Sequence, residues 1–108
     1  MPLLTEVKSH YGKLKFFIDG KWVDSESNSI EQVTNPAKGE VIAELPSATK
    51  EEARAAVDAA YTAFQTWKDV SLRDRARLLF GMHAKFEENY DELCRVLTQD
   101  HGRPIGEA

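Results

Sequence analysis

The apolar residues change their period at Pro46, and no other feature restricts the possible folds as much. Before it, Leu14, Phe16 and Ile18 alternate with Lys15, Phe17 and Asp19, as on a strand with one buried face. After it, Ala53, Ala56, Val57, Ala60, Phe64 and Trp67 recur at spacings of three and four, as on one face of a helix. A second stripe runs through Leu72, Ala76, Leu79, His83, Phe86, Tyr90, Leu93 and Leu97. The chain therefore reads as short strands followed by amphipathic helices.

Turn chemistry divides the first part into two hairpins. Asp19-Gly20 lies between two β-prone runs, and a type I′ turn needs positive φ at both of its central residues, which these two tolerate. Strands are expected at about 14–18 and 21–24, followed by the polar spacer from Asp24 to Ser29. Ile30–Thr34 and Glu40–Leu45 then flank Asn35-Pro36-Ala37-Lys38-Gly39, where Pro36 sets the first corner and Gly39 permits a left-handed residue. Residues 1–13 show neither period and read as a loose arm, and 14–108 as the structured region.

The helices carry start and stop signals. Thr49-Lys50-Glu51-Glu52 has the capping-box form, and a helix is expected over about 49–68. Ser71 opens the next stripe, and Asn89-Tyr90-Asp91-Glu92 predicts a kink or a break near Asn89, with Asn89 as N-cap. Gly102 is the natural left-handed residue after the last helix. Pro104 has the form of a further helix start, but only four residues follow it. So short a helix does not repay its nucleation, and the expectation is a chain cut from a longer protein.

Composition narrows the function. The 108 residues carry 14 Lys and Arg against 18 Asp and Glu, and 42% are hydrophobic, as in an ordinary globular domain. Residues 1–48 hold 5 basic and 7 acidic side chains and residues 49–108 hold 9 and 11, so each part sums to −2. Neither part offers the basic face that nucleic acid requires. No apolar run approaches a membrane span. A single cysteine, Cys94, cannot form an internal disulfide, which fits the cytoplasm.

The residues suited to catalysis are few and scattered. The glycines at 12, 20, 39, 81, 102 and 106 form neither a G-x-G-x-x-G cradle nor a phosphate loop. Cys94 and His101 find no further ligands at zinc spacing. Cys94 lies deep inside a helical pattern beside Leu93 and Leu97, so it reads as packing rather than as a nucleophile. His83, between Leu79 and Phe86, reads as a hydrogen-bonded core or interface histidine. Arg73 and Arg77 share a face that suits an anion, against the simpler reading of a solvated or salt-bridged first turn. No catalytic set emerges.

Three segments carry a resemblance: Phe17-Ile18-Asp19-Gly20-Lys21-Trp22-Val23, the run from Thr34-Asn35-Pro36 to Glu40-Val41-Ile42, and Asp100-His101-Gly102-Arg103-Pro104 with Glu107-Ala108. In that order they resemble the N-terminal part of NAD(P)-dependent aldehyde dehydrogenases, over about residues 16–108. The methylmalonate-semialdehyde type is most similar, with the succinate-semialdehyde and benzaldehyde types beside it. The resemblance implies an α/β parent fold, with 14–108 as the beginning of its cofactor-binding and oligomerisation region. It implies aldehyde oxidation with NAD or NADP by a thiolate nucleophile, and acyl release by water or coenzyme A. In the family the catalytic cysteine, glutamate, asparagine and cofactor cradle lie downstream. This chain would be scaffold, binding no cofactor alone and partnered by the rest of the polypeptide in a homo-oligomer.

The resemblance also implies one site. Several family members bind a monovalent cation through backbone carbonyls before the Asn-Pro turn and an acidic side chain before the Gly-Lys/Arg-Pro segment. The matching positions are Val33, Thr34 and Asp100, and oxygen donors suit a hard cation. The competing role for Asp100 is a cap or ion pair at the helix end, and some relatives of the semialdehyde branch carry Glu there. The competing reading of the whole chain is a free-standing α+β interaction module. The scaffold reading expects Trp67 and Phe86 to be exposed or turned toward neighbouring chains.

Overall fold

A computed structural model describes residues 5–108. The element order is β1 (Phe16–Ile18), β2 (Lys21–Val23), β3 (Ile30–Thr34), β4 (Val41–Pro46), α1 (Lys50–Trp67), α2 (Leu72–Glu88) and α3 (Tyr90–His101), then a 3₁₀ turn at Ile105–Glu107. The strands form two separate antiparallel pairs, β1 with β2 and β3 with β4. Ile18 pairs with Lys21, and Asp19 and Gly20 take φ of 52° and 74°, so the Asp-Gly turn closes as its chemistry requires.

The first hairpin is shorter than its pattern, because Leu14 and Lys15 stay out of it. Leu14 N–H donates to the Glu44 carbonyl at 2.8 Å, Glu44 N–H donates to Gly12 O at 3.0 Å, and Tyr11 N–H donates to Ile42 O at 2.7 Å. Lys13 thereby forms a parallel bridge to Glu44 on the free edge of β4. The end of the segment read as a loose arm, Tyr11–Lys13, is thus docked together with Leu14, while residues 1–4 of that segment lie outside the described residues. An open strand edge satisfies backbone groups that the segment cannot satisfy locally.

The β3–β4 ladder slips by one residue. Val33 faces Ala43 but Thr34 faces Val41, so Ile42 has no partner in β3 and forms a bulge. Among the described residues the buried apolar ones are Ile42 and Ala43, at 4% and 3% exposure, and Pro46 at the end of β4. Asn35, Ser25 and Gln99 are the buried polar residues among those described.

The helices obey their local signals. Thr49 Oγ1 accepts from Glu52 N–H at 3.1 Å and Thr49 N–H donates to Glu52 Oε1 at 2.8 Å, completing the capping box. Ser71 caps α2 by accepting from Asp74 N–H at 3.2 Å. The break at Asn89 is present, but its cap is not: Asn89 makes no side-chain bond to the start of α3. Its Nδ2 instead donates back to Lys85 O at 2.9 Å and closes α2. Pro104 flanks the 3₁₀ turn rather than opening an α-helix.

The stripes do not form a closed core. Neither α1 nor α2 buries a residue, and Val57, Phe64, Leu79, Phe80 and Phe86 are all at least half exposed. The accessible surface is 8800 Å², where a closed monomer of this mass has roughly 6,100 Å². The radius of gyration is 17.5 Å, against about 13 Å for a compact chain of this length.

Candidate functional site

The Asn-Pro turn and the end of α3 meet at one place. Asn35 Oδ1 accepts from Ala37 N–H at 2.9 Å, while its own N–H donates to Glu40 O at 2.8 Å and its carbonyl accepts from Gly39 N–H at 2.7 Å. These bonds hold a residue only 5% exposed and preset the turn. Gly102 ends α3 with φ of 84° and lies against that turn: a Cβ there would sit 2.9 Å from Pro36 Cγ. Glycine is required twice over, by conformation and by space.

Gln99 is the second tie. Its Oε1 accepts from the Tyr11 hydroxyl at 2.8 Å and its Nε2 donates to Lys8 O at 2.8 Å. At 4% exposure, it pins the opening segment to α3 with both ends satisfied. Nothing in its position on the helix announces this, because the partners lie 88 and 91 residues away.

Between these ties lies a largely apolar cavity of about 470 Å³, lined by residues that include Tyr11, Val33, Ile42, Val96, Gln99 and Asp100. The fold thus brings Val33 and Asp100, two of the three expected cation ligands, to one cavity. Thr34, the third, is exposed and sits at the slip in the ladder, outside that lining. Asp100 is exposed.

The other candidates separate. His83 is exposed rather than in a core, its Nε2 3.7 Å from Glu87 Oε1. Cys94 is half-buried, with Sγ 3.7 Å from Ala108 O, which fits packing. Arg73 and Arg77 sit on either side of Arg75, and it is Arg75 that makes the contacts of this turn. Its Nη2 donates to Trp67 O at 2.7 Å and its Nε to Val70 O at 3.0 Å, so it satisfies one carbonyl at the end of α1 and one in the turn that follows. Its guanidinium also lies 5.3 Å from the centre of the Trp67 ring. Among the described residues no three His, Cys, Asp or Glu side chains cluster as a metal site, and no helix is long and apolar enough to cross a membrane.

Comparison with known proteins agrees with this architecture. A malonate-semialdehyde dehydrogenase of Lacticaseibacillus casei is 42% identical over 101 residues, 94% of this chain and 20% of the relative. Lactaldehyde dehydrogenase from Escherichia coli superposes with a TM-score of 0.85 at 28% identity, over 89% of this chain and 20% of that one. A Sinorhizobium meliloti protein assigned as a methylmalonate-semialdehyde dehydrogenase, complexed with NAD, superposes with a TM-score of 0.84 at 33% identity, over 91% of this chain and 20% of that one. The chain spans about one fifth of the length of the relatives it matches. The free-standing module gains no support from these matches. The model of the aldehyde dehydrogenase family matches residues 22–108, and the chain belongs to that family.

Proposed function

We propose that residues 14–108 are the beginning of the cofactor-binding and oligomerisation region of an enzyme that oxidises a semialdehyde with NAD or NADP. The observation that carries this reading is the open apolar face of α1 and α2 in a chain matched to one fifth of its relatives' length. Leu72 at 84%, Phe80 at 75% and Val57 at 66% exposure are costly in water unless other surfaces cover them. The covering surfaces are the rest of the polypeptide and further copies of it, in the cytoplasm. The semialdehyde preference rests on relatives named for malonate and methylmalonate semialdehyde.

The residues of this chain do not fit a dinucleotide by themselves. Its glycines form no cradle, and the cavity beside Asp100 has mostly apolar walls. The nicotinamide cofactor therefore belongs to the whole protein, as do the nucleophile and the base. What this chain does is rigidify: Asn35, Gly102 and Gln99 lock the β3–β4 hairpin and the opening segment to α3, and Arg75 locks α1 to α2.

Reduced cofactor formed from malonate and methylmalonate semialdehydes, with and without coenzyme A, tests the activity. A protein that oxidises neither, while accepting simple aldehydes, overturns the semialdehyde assignment. Hydrogen exchange tests the scaffold role: α1 and α2 should be strongly protected in the complete protein and weakly in the 108-residue chain, whereas equal protection in both contradicts it.

A monovalent cation held by the Val33 and Thr34 carbonyls and the Asp100 carboxylate belongs to the same proposal. Support comes from the shared cavity of Val33 and Asp100 and from the ladder slip beside Thr34. Thallium soaked into crystals should give an anomalous peak beside Asp100 that disappears in Asp100→Asn. A peak elsewhere, or none, removes the site.

A further inference from the structure

The β1–β2 hairpin holds itself together but has little to hold it in place. Its ladder has three residue pairs, and the Phe17 and Trp22 rings pack at a tilt of 53° with centres 4.9 Å apart. Both rings nonetheless face solvent, at 61% and 71% exposure, and no helix or second sheet packs broadly on the hairpin. A lone two-stranded hairpin is marginal in water, so whatever fixes its position is decisive.

One fixed point lies just ahead of it, where Leu14 N–H donates to Glu44 O on β4 at 2.8 Å, and the other lies just behind it. Ser25, two residues after β2, is 7% exposed, and its hydroxyl donates to Glu52 Oε1 at 2.8 Å. Glu26 N–H donates to the other oxygen, Oε2, at 3.1 Å. Thr49 N–H donates to Oε1 at 2.8 Å, from the start of the helix itself. One carboxylate thus receives three donors from two segments that are more than twenty residues apart. Ser25 Oγ in turn accepts from Ser27 N–H at 3.1 Å, which orients the hydroxyl toward Glu52. A capping box needs only the Thr49 bonds, so the two bonds from Ser25 and Glu26 are additional to helix capping.

We propose that the Glu52 carboxylate is a latch that fixes the first hairpin to the head of α1, and that the hairpin swings as one unit when the latch opens. The spacer from Asp24 to Ser29 is the hinge, since it is polar and lies outside both ladders. The latch sets where the Phe17–Trp22 surface is presented by fixing the outgoing end of the hairpin, while its incoming end is tied to β4 through Leu14 N–H and Glu44 O. Bonds to an ionised carboxylate are about twice as strong as neutral ones, which suits one group to this task.

Hydrogen exchange on the complete natural protein, read by mass spectrometry in peptides from the hairpin, the head of α1 and α3, separates latch from cap. Glu52→Gln keeps a single acceptor oxygen and sets an amide donor against another donor, so residues 16–26 should exchange about tenfold faster while α3 is unchanged. Thr49→Val removes the hydroxyl cap but keeps the Thr49 amide position and the carboxylate. It should speed the first turn of α1 and leave the hairpin at its original rate. Ser25→Ala should speed the exchange of residues 24–27 by less than Glu52→Gln does. The proposal is overturned by unchanged hairpin exchange in Glu52→Gln, by equal release in Thr49→Val, or by acceleration that spreads equally into α3. If Glu52→Gln does not fold, unchanged exchange in Ser25→Ala overturns it.

Discussion

Two ends of this chain solve the problem of burial differently. Where β3–β4 meets α3, two apolar residues and the polar Asn35 and Gln99 close a small interior, with both amide side chains hydrogen-bonded. Along α1 and α2 the apolar residues outnumber those at the junction, yet none is buried. The junction is specified by polar partners that fit in one arrangement. The helices are specified by caps and periodicity, which act locally and leave the question of a packing partner open. Apolar content alone therefore does not locate the interior.

The largest expected effect tests the junction. Ile42→Ala should lower the unfolding free energy of the complete protein by about 3 kcal/mol in denaturant titration, because it empties the one apolar centre of this region. A loss below about 1 kcal/mol would show that the junction is not where the fold is secured. Two glycines then sharpen the contrast between regions. Gly102→Ala places a methyl 2.9 Å from Pro36 at positive φ and should cost about 2 kcal/mol. Gly81, in the middle of α2, has open space where a methyl would stand, so Gly81→Ala should raise helix stability by up to about 1 kcal/mol in the 108-residue chain. The same substitution in the complete protein reports whether another surface closes on α2 there.

Loss of a cap should come next. Thr49→Ala should cost about 1 kcal/mol by thermal or denaturant unfolding, since it orphans the Glu52 N–H. On the open face, Phe80→Ala should change the stability of the 108-residue chain by no more than about 0.5 kcal/mol. A several-fold larger loss in the complete protein would show that Phe80 is covered there, and equal small losses would show that it stays exposed.

The smallest effects are those of pH. Hydrogen bonds from the Thr49 backbone, then from the Ser25 hydroxyl, hold the Glu52 carboxyl below its usual value of 4.5. Its stabilisation is therefore complete above that value and fades as pH falls through the lowered one. Lys38 runs the other way. Its bond to Glu6, at 2.9 Å, holds its ammonium above the usual 10.5, so that contribution is present below 10.5 and is lost as pH rises past the raised value. Opening of the hairpin, once the intrinsic pH dependence of exchange is divided out, should therefore rise in acid and stay level through neutral pH. A rise centred near neutrality would mean that another group controls the latch.

Much of the fold was legible because its signals are local. Asp19-Gly20, Asn35-Pro36 with Gly39, Thr49 with Glu52, Ser71 and Gly102 each act through neighbours within a few residues, and each forms the structure its chemistry requires. Asn89 was half legible. It marks the break, but its side chain bonds backward to Lys85, because an amide can donate to the preceding carbonyls as readily as it can accept from the following amides. For His83 the structure removes the core half of the reading and leaves the interface half, because a histidine on an apolar stripe is buried only if something covers the stripe.

The docking of Tyr11–Leu14 on β4, the tie from Gln99 and the two extra bonds of Glu52 were not legible. Each joins residues far apart in the chain, and no short pattern encodes the partner. The cation ligands lie between these cases. Their positions come from a resemblance, and the fold brings Val33 and Asp100 to one cavity while leaving Thr34 outside its lining.

By itself the sequence determined the kinds of element, their order and their ends, because periodicity, turn residues and caps depend on interactions within a turn or two of the chain. Only the tertiary structure decided which strand edge receives the opening segment, which polar side chains become buried and which apolar faces stay open. Those outcomes depend on surfaces meeting across the whole chain, where geometry rather than residue type selects the partner.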